Sequence, residues 1–288
     1  MDISARKSAE MSAISLLSLK GNAEIGRLTS GFSTSPEEKT TSYEIIAENE
    51  QGSVIPPATV AISLYNYKQY IIECLESVKS QTISNLDLII VDDCSTDGSL
   101  EIVHKWLVEN GGRFDKYMLI QHKVNKGLSS TRNTGFANAR TEYVFVLDAD
   151  NLLYPHCLER LATALDNCEA SFAYCYLEKF GEASCLQNTK AWDPSTLQNG
   201  NTIDAMVLHR KSVLEKVGGY STNKVMRLGW EDFEVWFKIA RIKGWGILVP
   251  EILGRYRVHH DSLLHTSTNR NTHKLWGYLR SNYPEFFS

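Results

Sequence analysis

Glu142-Tyr143-Val144-Phe145-Val146-Leu147-Asp148-Ala149-Asp150-Asn151 is the stretch on which the reading of this chain turns. Tyr143 to Leu147 is an unbroken run of aromatic, β-branched and aliphatic residues, which predicts a strand buried on both faces. Two carboxylates, Asp148 and Asp150, follow it one residue apart. Ligands of an open α/β sheet sit at the C-terminal edge of its strands. A pair of acids there suits a hard divalent cation shared with a phosphate. The plainer reading is an Asx-rich turn ahead of a helix that Tyr154-Pro155 would start. Taken alone, the pair does not separate the two.

Working back from it, the chain alternates. Thr59 to Leu64 predicts a strand, followed by the polar turn Tyr65-Asn66-Tyr67. A helix comes next, with Tyr70, Ile71, Cys74, Leu75 and Val78 on one face. Leu86 to Val91 is a second strand and runs into Asp92-Asp93-Cys94-Ser95-Thr96-Asp97-Gly98. A helix carrying Leu100, Val103 and Leu107 inward stops at Gly111-Gly112. Tyr117 to Gln121 reads as a third strand, Asn125-Lys126-Gly127 as a turn, and about Leu128 to Ala139 as a helix. This β-α rhythm with short connections predicts a doubly wound, mostly parallel, Rossmann-like sheet.

Forward of it the pattern is irregular. Pro155 opens a helix with Leu158, Leu161 and Leu165 on one side, and Ser171 to Leu177 reads as a strand. Residues 178 to 200 form a long polar connection containing Trp192, a loop of the kind that shapes substrate pockets. Ile203 to Leu208 reads as another strand, before a short helix ending at Gly218-Gly219. Trp230-Glu231-Asp232 opens an amphipathic helix with Phe233, Trp236, Phe237 and Ala240 on one stripe and Gly244 as its stop. Two short strands around Ile247 and Arg255 lead to His259-His260. Residues 1–55 read as an extension: a short helix at Ile14-Ser15-Leu16-Leu17, then a flexible linker ending at Pro56-Pro57.

With 43% hydrophobic and 22% charged residues, the 288-residue chain has the composition of a soluble globular protein. Its net charge of −4 argues against a general nucleic-acid surface, which needs clustered Lys and Arg. Six cysteines show no paired zinc spacing, and several lie in apolar runs as reduced core residues do. No run approaches the roughly 20 apolar residues that cross a bilayer, and Ile14 to Leu19 is too short for the centre of a signal peptide. The cytoplasm is the expected compartment.

The motifs fall in one order: Asp92-Asp93, Asn125-Lys126-Gly127 with Arg132-Asn133, Asp148-Ala149-Asp150, Trp230-Glu231-Asp232 and Tyr256-Arg257-Val258-His259. In that order they resemble the inverting family 2 glycosyltransferases, which have the GT-A fold. Ile62-Ser63-Leu64-Tyr65-Asn66 resembles that family's first strand and turn, and Val91 to Gly98 its nucleotide-side loop. The resemblance runs from about Val60 to Ser262. It implies a nucleotide-binding half (56–151), an acceptor-side catalytic half (152–262) and a C-terminal tail (263–288).

The resemblance implies a nucleotide-diphosphate sugar donor, a divalent metal, and transfer with inversion to a saccharide or lipid-linked acceptor. Asp93 would accept the N–H of a uracil ring, pointing to a UDP-sugar, with Ser63 and Tyr65 lining the same pocket. Turn capping is the rival role for Asp92 and Asp93. Arg132 would contact the donor phosphates or hold the Asp148 carboxylate. Asp148 would face the ribose or sugar. Asp150 and His259 would ligate Mg2+ or, with a histidine in the set, Mn2+; His260 is the rival ligand. Asp232 is the candidate base, with Glu231 second. Both acids also suit the first turn of a helix, where a dipole favours them. Trp230 beside them, and Trp192, are the candidate acceptor contacts. A non-catalytic sugar-nucleotide-binding scaffold of the same fold remains the alternative, and the tails are the expected contacts for a membrane's inner face or a partner protein.

Overall fold

A computed structural model describes residues 42–52 and 54–287. The helix expected around Ile14 lies outside them. Along the first half run β1 (Tyr43–Glu50), β2 (Ala58–Leu64), α1 (Ile71–Lys79), β3 (Asp87–Asp92), α2 (Ser99–Asn110), β4 (Lys116–His122), α3 (Leu128–Asn138) and β5 (Tyr143–Asp148). Strands β4, β3, β2 and β5 are neighbours in that order, and all are parallel. Every residue of β2 and β3 is buried, as unbroken apolar runs demand.

Alternation along β2 assigns its two faces. Val60, Ile62 and Leu64 pack with residues of α1 and α2, while Ala61 packs with Phe136 of α3. Helix α3 comes close because it carries Gly135 there: a Cβ at that position would stand 3.2 Å from the Ala61 Cβ.

The second half contains β6 (Leu152–Leu153), α4 (Cys157–Asp166), β7 (Phe172–Gly181), β8 (Leu186–Gln187), β9 (Leu208–Arg210), α5 (Lys211–Lys216), α6 (Glu231–Arg241), β10 (Gly246–Val258), α7 (Leu263–Thr266) and α8 (Thr272–Asn282). The sheet continues β5-β9-β7-β10-β6. Strand β9 is antiparallel to both its neighbours, and β7 and β10 run parallel. The result is an α/β fold with a mixed, largely parallel sheet.

Four expectations need correction. The stretch read as linker contains β1, which lies antiparallel along β4; its outward charges disguise a half-buried edge strand. Ile203 to Leu208 is not a strand: residues Ile203, Ala205, Met206 and Val207 are buried in loop conformation, and pairing starts only at Leu208. The two strands expected around Ile247 and Arg255 are one, β10. It is interrupted between Val249 and Ile252, where Pro250 has no N–H to give the ladder. Residues 263–288 were expected as a tail, yet Leu275 and Leu279 of α8 are fully buried and Tyr283 nearly so. Among the described residues, no helix is long and apolar enough to cross a membrane.

Candidate active site

Register brings the site together. Ser63 at the end of β2 stands opposite Asp148 of β5, and Leu64 opposite Asp92 of β3. The loops that follow β2 and β3 are tied to each other: Asn66 N–H donates to Ser95 Oγ (3.0 Å), and Thr96 N–H to Asn66 Oδ1 (2.8 Å). Tyr65 stands at their rim with its side chain exposed.

Asp93 is buried and clamps the loop that leads into α3. Its Oδ1 accepts from Lys126 N–H (2.8 Å), and its Oδ2 from Gly127 N–H (2.7 Å). His122 Nδ1 lies 2.6 Å from Oδ1. A carboxylate can only accept there, so this nitrogen carries the proton, and His122 Nε2 faces the Thr134 hydroxyl at 2.9 Å. Asp92 accepts from Ser95 N–H and Gln121 Nε2, while its Oδ1 is buried with no partner among the described residues.

Asp150 and His259 meet. Asp150 Oδ2 lies 3.0 Å from His259 Nε2, and both residues are buried. Burial raises the Asp150 carboxyl, His259 opposes that and Asp148 adds to it. Two ligands of an octahedral ion, at about 2.1 Å and at right angles, stand about 3 Å apart. This oxygen and nitrogen therefore fit adjacent positions around Mg2+ or Mn2+, with the ion replacing the proton between them. Among the described residues no three His, Cys, Asp or Glu side chains converge on one point, so the other positions would fall to phosphate and water. His260 is exposed and faces Glu182 and Asp261 instead.

Arg132 of α3 spans the two halves of the site. Its Nη2 donates to both Asp148 oxygens (2.9 and 3.2 Å), its Nη1 to Glu231 Oε1 (2.5 Å). The guanidinium lies 5.2 Å over the Tyr220 ring and is almost completely buried. Burial disfavours its charge, yet Asp148 and Glu231 hold it protonated well above the ordinary value. Glu231 and Asp232 open α6. Burial pushes Glu231 up while Arg132 pulls the other way. Asp232 is raised to about 6, again by burial first, with Arg132 opposing and Asp204 adding. Asn201 Nδ2 donates to Asp232 Oδ2 at 2.8 Å. The Phe233 amide also hydrogen-bonds this carboxyl and favours its ionised form.

Both tryptophans are engaged in packing and half-buried. Trp192 meets Phe172 and Trp236 edge-on, and Trp230 meets Phe233 and Trp276 the same way. Sequence reasoning missed two residues of the site. Asp204 lies near Asp148 and Asp232, and burial raises it to about 6. It sits inside an apolar run that reads as a strand, and a polar residue breaking such a run was the available signal. His122, behind Asp93, follows the apolar part of β4 and gives no signal of its own.

A family model described as Glycosyl transferase family 2 matches residues 59–218. The putative glycosyltransferase EpsE of Bacillus subtilis is 27% identical over 213 residues, 72% of this chain and 74% of its own. The putative glycosyltransferase EpsH of the same organism is 32% identical over 176 residues, 60% of this chain and 47% of its own. Among solved structures, S. aureus TarS 1-349 in complex with UDP-GlcNAc has a TM-score of 0.62 at 18% identity, covering 73% of this chain and 61% of that one. The mannosyltransferase PcManGT from Pyrobaculum calidifontis, in complex with GDP-Man and Mn2+, has a TM-score of 0.61 at 20% identity, covering 81% and 66%. The matched part is between about half and three quarters of each relative's length. At such identities the structural likeness establishes the fold, which is GT-A. The family model spans more than half of the 288 residues, and the chain belongs to the family 2 glycosyltransferases.

Proposed function

We propose that this chain transfers a sugar, with inversion, from a nucleotide-diphosphate donor to a hydroxyl of a saccharide or lipid-linked acceptor, and that Asp232 is the base. The observation that carries the reading is the state of Asp232. Its pKa, raised by burial to about 6, makes it a stronger base than an ordinary carboxylate while leaving it ionised at neutral pH. Asn201 and the Phe233 amide orient the carboxylate, and the side chain is only part-buried, within reach of a hydroxyl. Glu231 is less suited, because Arg132 already holds it.

On the donor side, Asp93 keeps one acceptor position on Oδ2 beyond the Gly127 amide, which matches the N–H of uracil and favours a UDP-sugar. Ser63 and Tyr65 complete that wall. Asp148, fixed by Arg132, is oriented toward the ribose and transferred sugar. Asp150 and His259 are the ligands for Mn2+ or Mg2+. Bound there, the ion would offset charge on the departing diphosphate. Trp230, next to Asp232, is the better placed of the two tryptophans to touch an acceptor.

A screen of nucleotide sugars, with and without Mn2+, tests this by donor binding and slow donor hydrolysis. Asp232→Asn should retain donor affinity and lose roughly 10²–10⁴-fold in turnover, the range of general-base loss. Turnover at the wild-type rate in that variant would remove the base from Asp232, and a failure to bind any nucleotide sugar would remove the donor class.

A further inference from the structure

The family model stops at Gly218, so α6 with Glu231 and Asp232 lies beyond the matched residues. The last part of the chain holds the start of this helix. The chain reaches α6 through two consecutive residues in left-handed conformation, Gly229 (φ 119°) and Trp230 (φ 63°). Gly229 has a steric reason: a Cβ there would lie 2.2 Å from Thr268 Oγ1, and that hydroxyl donates to the Leu228 carbonyl at 2.9 Å. Trp230 has no such exemption. A bulky residue is strained in this conformation and persists there where its surroundings over-determine it.

Those surroundings come from the C-terminal segment. Trp276 of α8 lies edge-on to Trp230 at 5.0 Å and to Phe233 at 5.7 Å. One turn further on, the buried Glu234 Oε1 accepts from the hydroxyls of Tyr278 (3.0 Å) and Tyr283 (2.9 Å). Asp232 sits midway between the two gripped residues, Trp230 and Glu234. A grip two residues before it and two residues after it, both from one segment, leaves α6 neither a free rotation about its axis nor a free shift along it.

We propose that residues 268–283 are a positioning element for the catalytic base: Trp276 against Trp230, and Tyr278 with Tyr283 on Glu234, fix where the Asp232 carboxylate stands. The inference rests on Asp232 being the base. The proposed donor-side acids stand elsewhere: Asp93 just beyond β3, Asp148 at the end of β5 and Asp150 just beyond β5. Trp276, Tyr278 and Tyr283 act on turnover through Asp232.

The test uses the whole chain and two measurements: UDP affinity in Mn2+, and hydrolysis of the UDP-sugar turned over fastest. Trp276→Ala should keep UDP affinity within about twofold and lower kcat roughly ten- to hundredfold, since misplacing a catalytic group by about an ångström costs that much. The acid limb of its kcat profile should shift relative to wild type, which a purely structural loss would not produce, and Trp276→Phe should restore most of kcat. If Trp276→Ala does not fold, Tyr278→Phe combined with Tyr283→Phe, which removes only two hydroxyls, makes the same test. An unchanged kcat in a folded variant, or a parallel fall of kcat and UDP affinity, overturns the inference. Asp232→Asn measured alongside keeps the two ideas apart. If it retains turnover, the base assignment fails; if it loses turnover while Trp276→Ala keeps it, the positioning role alone fails.

Discussion

With Asp232 as the proposed base, its ionisation bears on catalysis and stability with opposite signs. Burial raises its carboxyl from the ordinary value to about 6. A base must be ionised, so on this proposal kcat/KM should fall as pH drops through about 6. Folding prefers the protonated form: the unfolded chain ionises this group near pH 4, so its ionisation in the folded chain is unfavourable above that value. Lowering pH from about 6 toward 4 should therefore remove a destabilising contribution while it removes activity. Asp232→Asn should be more thermally stable than wild type at pH 7, and the difference in Tm should shrink as pH falls through that window. A constant difference would mean that burial does not raise this carboxyl. The histidines make a second contrast. His259 stands against Asp150, whereas His260 is exposed beside Glu182. His259→Ala should abolish most of the Mn2+ dependence of nucleotide binding, and His260→Ala should leave it. Titrations of both variants with Mn2+ check this, and equal losses would reject His259 as the ligand.

Elements were legible where one physical rule acted alone. β3 and β5 fall where unbroken apolar runs place them, because a strand covered on both faces leaves no polar alternation. β1 was not legible, since Glu44, Glu48 and Glu50 face solvent and half-buried Ile46 and Ala47 supply the packing. α8 was missed for a related reason: within Thr272–Asn282, Leu275 and Leu279 are its fully buried residues, two apolar positions one turn apart in a polar segment. Asp93 shows a limit of another kind. Its place in the loop could be read from the motif, but its hold on two backbone amides depends on a neighbouring loop, 33 and 34 residues away. At this scale the strand β1 makes its own prediction. A chain starting at Val54 should have a lower Tm than one starting at Ser42, because only the former strips β4 of its antiparallel partner. Equal Tm values would show that this edge pairing adds nothing.

Taken as a whole, the molecule joins a proposed donor side built by parallel strands to a proposed acceptor side built by a helix and the C-terminal segment. Arg132 touches both, and its burial leaves the two anions dependent on it. Replacing it with Met should destabilise the fold by about 3–5 kcal/mol, the range for breaking a buried pair from one side, readable as a shift in denaturant midpoint. A single guanidinium shared by Asp148 and Glu231 has a thermodynamic consequence as well. Whatever draws Asp148 away from the cation leaves more of its field for Glu231, and the reverse holds by equal measure. On the proposed reading, occupancy beside Asp148 would thus bear on the protonation of Glu231 through this one cation. Asp148→Asn and Glu231→Gln should accordingly be non-additive, with a coupling energy of about 0.5–3 kcal/mol in a double-mutant cycle on stability. Strict additivity would mean that the two acids do not share their charge. With coupling of that size, donor and acceptor would bind to one common proton balance, and the pH dependence of either affinity would report on the other.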